Sequence, residues 1–157
     1  MPPLERHPLL RPVSREHHDG LLLCWKLRQG LAKGVGPRRM QEYCNTFYYE
    51  HLLPHFAVEE EAVFPILGMD NHLVRRALKE HMELSELFLA KEHDELSLST
   101  IENLLMAHIR FEERVLFQAV QEVATEEELA QVDKVHGGLK EGNELIADEG
   151  DPRTRPI

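Results

Sequence analysis

The sequence is short of cysteine, basic charge, strand patterning and long apolar runs, and each shortage removes a class of protein. Cys24 and Cys44 form no CxxC and no ladder of pairs, which excludes a disulfide framework and a zinc ribbon. A reducing cytoplasm is the expected setting. Eighteen Lys and Arg against 28 Asp and Glu leave a net charge of −10. That sign disfavours a nucleic-acid partner, because phosphate binding needs a basic face. "MPPLERHPLLRP" holds no apolar core of secretory length, and no later stretch approaches a membrane span, so neither export nor a membrane partner is expected. Strand signals are absent. What the chain has instead is helical periodicity over most of its 157 residues, and ten histidines.

Four long segments repeat apolar residues at helical spacing, with turn signals between them. The first covers Arg15–Lys33, with Ser14 as its expected N-cap and "KGVGP" as its stop. The second starts at Pro37, a favoured first helical position, and runs to Leu67, with Pro54 expected to kink it or displace its hydrogen bonds. The third covers Asn71–Glu92, and the fourth opens on the capping box of Ser99 and Glu102 and reaches Val123. A shorter fifth helix opens on Thr125 and Glu128 and should end at Gly137–Gly138. Short connections between long amphipathic helices imply antiparallel neighbours. The expected fold is therefore all-α, an up-down-up-down four-helix bundle with a short extra C-terminal helix. The bundle domain should occupy residues 10–140, between an N-terminal extension (1–9) and a polar C-terminal tail (141–157).

Advancing about 100° per residue shows which way each histidine faces. His108 lies at the centre of the apolar stripe of the fourth helix, with Glu112 one turn further on the same face. His55 and Glu59 repeat that arrangement in the second. His81 sits among Val74, Ala77, Leu84 and Phe88 in the third, and His17 aligns with Leu21, Cys24 and Leu31 in the first, with His18 on the flank. Axial level is a separate requirement, tested with about 1.5 Å of rise per residue. The four histidines are similarly spaced from the intervening turns, so they fall in one layer.

The chain thus reads as two half-copies, each a helix with His followed by a helix with His-x-x-x-Glu. Two carboxylates facing one another across the centre, ringed by imidazoles, suit two metal ions. Imidazole accommodates iron, zinc, copper or nickel, and bridging carboxylates favour iron. A single histidine on an apolar stripe is ordinarily a core residue satisfied by a neighbour. Six inward histidines and glutamates in one layer are different, since without a shared partner they form a costly half-satisfied network. His51, one turn before His55, also faces inward as a ligand, an outer donor or a cavity wall. Glu60 and Glu61 are rotated away toward solvent. His72, His7, His93 and His136 fall on outer faces, turns or tails, and Trp25, Tyr48 and Tyr49 read as core or as neighbours of the site.

The order "EHH", "PHFAVEE", "KEH", "HIRFEE" resembles the hemerythrin-like, or HHE cation-binding, family over about residues 10–125. The resemblance implies a four-helix bundle holding a non-haem di-iron centre, two iron ions bridged by the two carboxylates. By position the ligands would be His17 or its neighbour His18, His55, Glu59, His81, His108 and Glu112. The chain departs from the oxygen-carrying members at two places. Ser85 stands where they have a second histidine on the third helix, and Glu112 stands four residues after its histidine where they have an aspartate at five. These features are similar to the HHE subgroup of iron-sensing and iron–sulfur-repair proteins, without their extra domains. Fewer imidazoles leave more open coordination. The expected function is binding or sensing of a small diatomic ligand, O2 or NO, rather than dedicated catalysis. The alternatives are iron handling, iron–sulfur repair, peroxide or NO reduction, and a structural bundle with a decayed site. No protein partner is implied.

Overall fold

The computed structural model describes residues 5–146, with side chains through residue 139. Its regular structure among these residues is entirely helical, in five rods. They are α1 (Arg11–Ala32), α2 (37–67), α3 (His72–Leu89), α4 (95–123) and α5 (Glu126–Ile146). None of these helices is long and apolar enough to cross a membrane.

Caps and glycines set most of the boundaries. α1 ends in a Schellman arrangement, with Val35 N–H donating to the Gly30 carbonyl (2.8 Å) and Gly34 N–H to Leu31. Gly34 takes φ +72° there, a conformation that costs a side-chain-bearing residue. Asn71 caps α3, its side chain accepting from the Leu73 and Val74 amides. Thr125 and Glu128 form the reciprocal box expected at the start of α5.

Four boundaries differ from the sequence reading. α1 begins at Arg11 rather than behind a Ser14 cap. Pro12 fits the first turn, and the added turn buries Leu10 and Val13 completely. α4 begins at Glu95, where Asp94 and Ser97 form the box assigned to Ser99 and Glu102. Glu102 is instead a buried carboxylate 2.6 Å from Arg28 Nε. α3 stops at Leu89, three residues early, where Ala90 turns extended. α5 passes straight through Gly137–Gly138, because its packing through Leu129 and Val132 outweighs a propensity cost of about 1 kcal/mol per glycine.

α2 and α4 are continuous but not uniformly α-helical. Wider π-helical turns occupy Tyr48–Leu52, Glu59–Val63 and Glu112–Leu116. Pro54 follows the first of them, so the expected displacement of hydrogen bonds takes this form: Leu53 N–H reaches back five residues to the Tyr48 carbonyl. The last one also shifts the helical phase, burying Leu116 while Val115 is 44% exposed. Trp25 and Tyr49 are likewise exposed, whereas Tyr48 is buried.

The apolar residues form two clusters. One runs through Leu23, Leu27, Phe47, Phe88, Ile101 and Leu105, the other through Val13, Phe64, Val74, Phe117 and Val120. In each of the first four helices the inward histidine falls between residues of one cluster and residues of the other. The polar layer is therefore sealed on both sides by hydrocarbon. Where α1 crosses α4, a Cβ on Gly20 would stand 2.7 Å from the Ile109 methyl, so glycine permits that approach beside the layer.

Candidate metal centre

Six side chains meet in this layer: His17 from α1, His55 and Glu59 from α2, His81 from α3, and His108 and Glu112 from α4. Each is at most 5% exposed. Their donor atoms form two groups, His17–His55–Glu59–Glu112 and His81–His108–Glu59–Glu112, each within 4.8 Å and each able to hold a cation. Both carboxylates belong to both groups.

The two halves repeat one another closely. His17 and His55 meet edge-on, centroids 4.8 Å apart at 65°, and His81 and His108 do so at 4.9 Å and 66°. His55 Nε2 lies 3.4 Å from Glu59 Oε1, and His108 Nε2 lies 3.2 Å from Glu112 Oε1. The histidine–glutamate pairs arise because residues four apart share a helix face. Each glutamate also opens one of the π-turns, its carbonyl accepting from the amide five residues on, a form that recurs at functional sites.

All four imidazoles turn Nε2 inward and Nδ1 outward, and every Nδ1 meets a carboxylate. His17 faces Glu113 (2.7 Å), His55 faces Glu16 (2.9 Å), His81 faces Glu60 (2.8 Å) and His108 faces Glu80 (2.8 Å). Each outer carboxylate is the sequence neighbour of an inner residue on its own helix, yet it holds the imidazole of a different helix. The links run α1 to α2, α2 to α3, α3 to α4, and α4 back to α1. An Nδ1–H donated outward fixes the ring and leaves Nε2 facing the centre, the usual support for a metal-binding histidine.

The electrostatics follow from that crowd of carboxylates. Burial disfavours the charged form of each ring, yet the acidic neighbours outweigh it. His55 rises to about 10 under Glu59 and Glu16, and His108 to about 9 under Glu112 and Glu80. His17 and His81 rise as well. Burial opposes ionisation of Glu16 and Glu113 too, but their histidine partners pull both down to about 2.

The residues fit a metal on a separate observation. Both oxygens of Glu59, Glu112 Oε2, His81 Nε2 and His108 Nε2 are buried and have no hydrogen-bond partner. Buried polar atoms are rarely left so, and here they point at one another across the space a cation would fill. Mixed imidazole and carboxylate donors suit iron and its neighbours.

His18 is exposed and lies outside both donor groups. His51 lines a cavity of about 20 Å³ beside His17 and His55, with Phe47, Leu52 and Ile109 as apolar wall. Ser85 is engaged elsewhere, 2.9 Å from Tyr48 Oη. Sequence reasoning missed Glu16, Glu60, Glu80 and Glu113, and assigned Glu60 to solvent. A helical wheel places each on a flank, and only the neighbouring helix reveals its partner. His136 and His93 are also buried rather than peripheral. His136 reaches across from α5 to Glu16 (3.1 Å), and His93 Nε2 to the Leu87 carbonyl (2.6 Å).

Among known proteins, the family model described as "Hemerythrin HHE cation binding domain" matches residues 9–120. Searches of curated proteins and of solved structures return no significant match.

Proposed function

Given that the chain belongs to the hemerythrin HHE cation-binding family, whose domains bind metal cations, typically iron, we propose that it is a non-haem di-iron protein that binds or senses O2 or NO. The carrying observation is the pair of donor groups that share both carboxylates. One ion would take His17 and His55, the other His81 and His108, with Glu59 and Glu112 serving both. A ferrous pair, when bound, supplies electrons and open coordination positions.

The protein's part is binding, orientation and exclusion of water. The outer carboxylates hold four rings in a common orientation before any metal arrives. The apolar clusters keep bulk water from the layer. The cavity beside His17 and His55 has room for a guest of one or two heavy atoms, which supports a diatomic ligand over a larger substrate. Four outer carboxylates anchoring four rings also favour a resident metal over one held for delivery. The reading includes an up-down-up-down order for α1–α4, a bundle domain over residues 10–140 and a cytoplasmic setting, the last in keeping with two buried free thiols.

Anaerobic reconstitution followed by metal analysis tests it. Two irons per chain, with an optical spectrum that changes on adding O2 or NO, is the expected result. Failure to retain iron would overturn the proposal. Retention of two irons with rapid peroxide turnover and no gas-dependent change would move it to the enzymatic alternative.

A further inference from the structure

A second hollow, of about 220 Å³, opens outside the metal centre against the outer face of α1. His17 stands in the wall of both hollows. Three arginines line this one, Arg6 from the segment before α1 and Arg11 and Arg15 along α1 itself, with His18 beside them and Leu21 and Ile109 as apolar wall. The one carboxylate that reaches it, Glu113, is already committed. It accepts from Arg6 Nη2 (2.6 Å), from the Ser14 hydroxyl and from His17 Nδ1 (2.7 Å). Arg6 is committed in turn, with Nη1 donating to Gln121 Oε1 at 2.8 Å.

Arg11 and Arg15 are different. Both are exposed, and they sit one turn apart on one helix face. Arg11 Nε donates to the Arg6 carbonyl at 3.2 Å, but neither side chain has a carboxylate within ion-pair reach among the described residues. Arg28 pairs with Glu102, Arg38 with Glu42, Arg75 with Asp70 and Arg76 with Glu80, whereas Arg110 and Arg114 pair with no acid among the described residues. It is therefore the hollow beside them that sets Arg11 and Arg15 apart. Two uncompensated guanidinium groups over a hollow are conspicuous in a chain of net charge −10, where long-range attraction for anions is weak and only a local array can hold one. Guanidinium forks match the oxygens of phosphate and carboxylate two at a time.

We propose that this cleft is a binding site for a small oxyanion of the phosphate or carboxylate class, seated against Arg11 and Arg15 over the Arg6–Glu113–Ser14 floor. Its ligand contends with Glu113 for Arg6, and Glu113 holds the outer nitrogen of His17. Anion binding and metal binding are therefore coupled, each altering the affinity of the other by the same factor.

The test is calorimetric titration of the metal-loaded protein with inorganic phosphate, and separately with succinate, at constant ionic strength in chloride. One saturable site for one of the two is expected, and which of them binds identifies the source of the oxygens. The double variant Arg11→Gln/Arg15→Gln should bind it about tenfold more weakly or worse, with metal content and melting temperature unchanged because both side chains are exposed. No saturable binding of either anion, or full binding by the double variant, overturns the proposal. Metal affinity measured by chelator competition should shift at saturating anion, and an unchanged affinity overturns the coupling through His17.

Discussion

Raising the pH should tighten metal binding steeply, because each ion must displace protons from the rings that hold it. In the metal-free protein the surrounding carboxylates keep His55 protonated up to about 10 and His108 up to about 9, with His17 and His81 raised as well. A metal takes the neutral imidazole. At pH 7 the cost of emptying His55 and His108 is about 4 and about 3 kcal/mol, at ~1.4 kcal/mol per pH unit. Each ion meets two such rings. The logarithm of its apparent association constant should then rise by up to about two per pH unit between pH 6.5 and 9, flattening above about 10. Anaerobic ferrous titration against a competing chelator measures the slope. Calorimetry in two buffers of different ionisation enthalpy counts the protons released. Fewer than about one proton per ion at pH 7, with affinity flat from 6.5 to 8.5, would refute the reasoning, since it would mean that burial keeps the rings neutral.

Other outcomes follow from the same geometry. Glu59→Ala removes a donor common to both groups and should abolish retention of both ions, whereas His81→Ala should spare the His17–His55 position; metal analysis separates the two. Glu80→Gln weakens the anchor of His108 and should lower metal affinity about 10- to 100-fold without unfolding the chain, measured by chelator competition. The metal-free protein should be most stable between about pH 4.5 and 6.5. The raised histidines contribute fully below 6.5 and lose their contribution as pH climbs through 9 to 10, while Glu16 and Glu113 contribute above 4.5 and lose theirs as pH falls toward 2. A metal-free melting temperature that peaks above pH 8 would contradict this. Gly138→Ala fills open space within α5 and should stabilise by about 1 kcal/mol, raising the melting temperature by roughly 2–4 °C.

The inner residues were legible in the sequence because two constraints act on each helix separately. Facing follows from the 3.6-residue period, and axial level follows from the distance to the nearest turn. The outer carboxylates obey neither constraint. Glu60 is one position from Glu59, so a wheel sends it toward solvent, and its side chain is indeed 45% exposed while bonded to His81. Its role exists only between helices. The start of α4 failed for another reason. Ser99-x-x-Glu102 matches the box pattern, with an acid at its third helical position, whereas Asp94-x-x-Ser97 closes the box with a serine hydroxyl. The latter prevails because the longer helix buries Leu98 and frees Glu102 for Arg28. The end of α5 failed because local propensity cannot see the neighbours that α5 packs against.

The cyclic exchange of outer carboxylates carries a consequence for assembly. Every one of the first four helices both gives a carboxylate to the next and receives one from the last, so each is held by two links. A slip of any helix by one turn, ~5.4 Å, breaks both of its links and strands two buried rings. Hydrophobic faces alone tolerate such slips, since one leucine packs much like another. The ring works as a register key, readable only when all four helices stand at the correct height, so that a metal would meet a frame already checked.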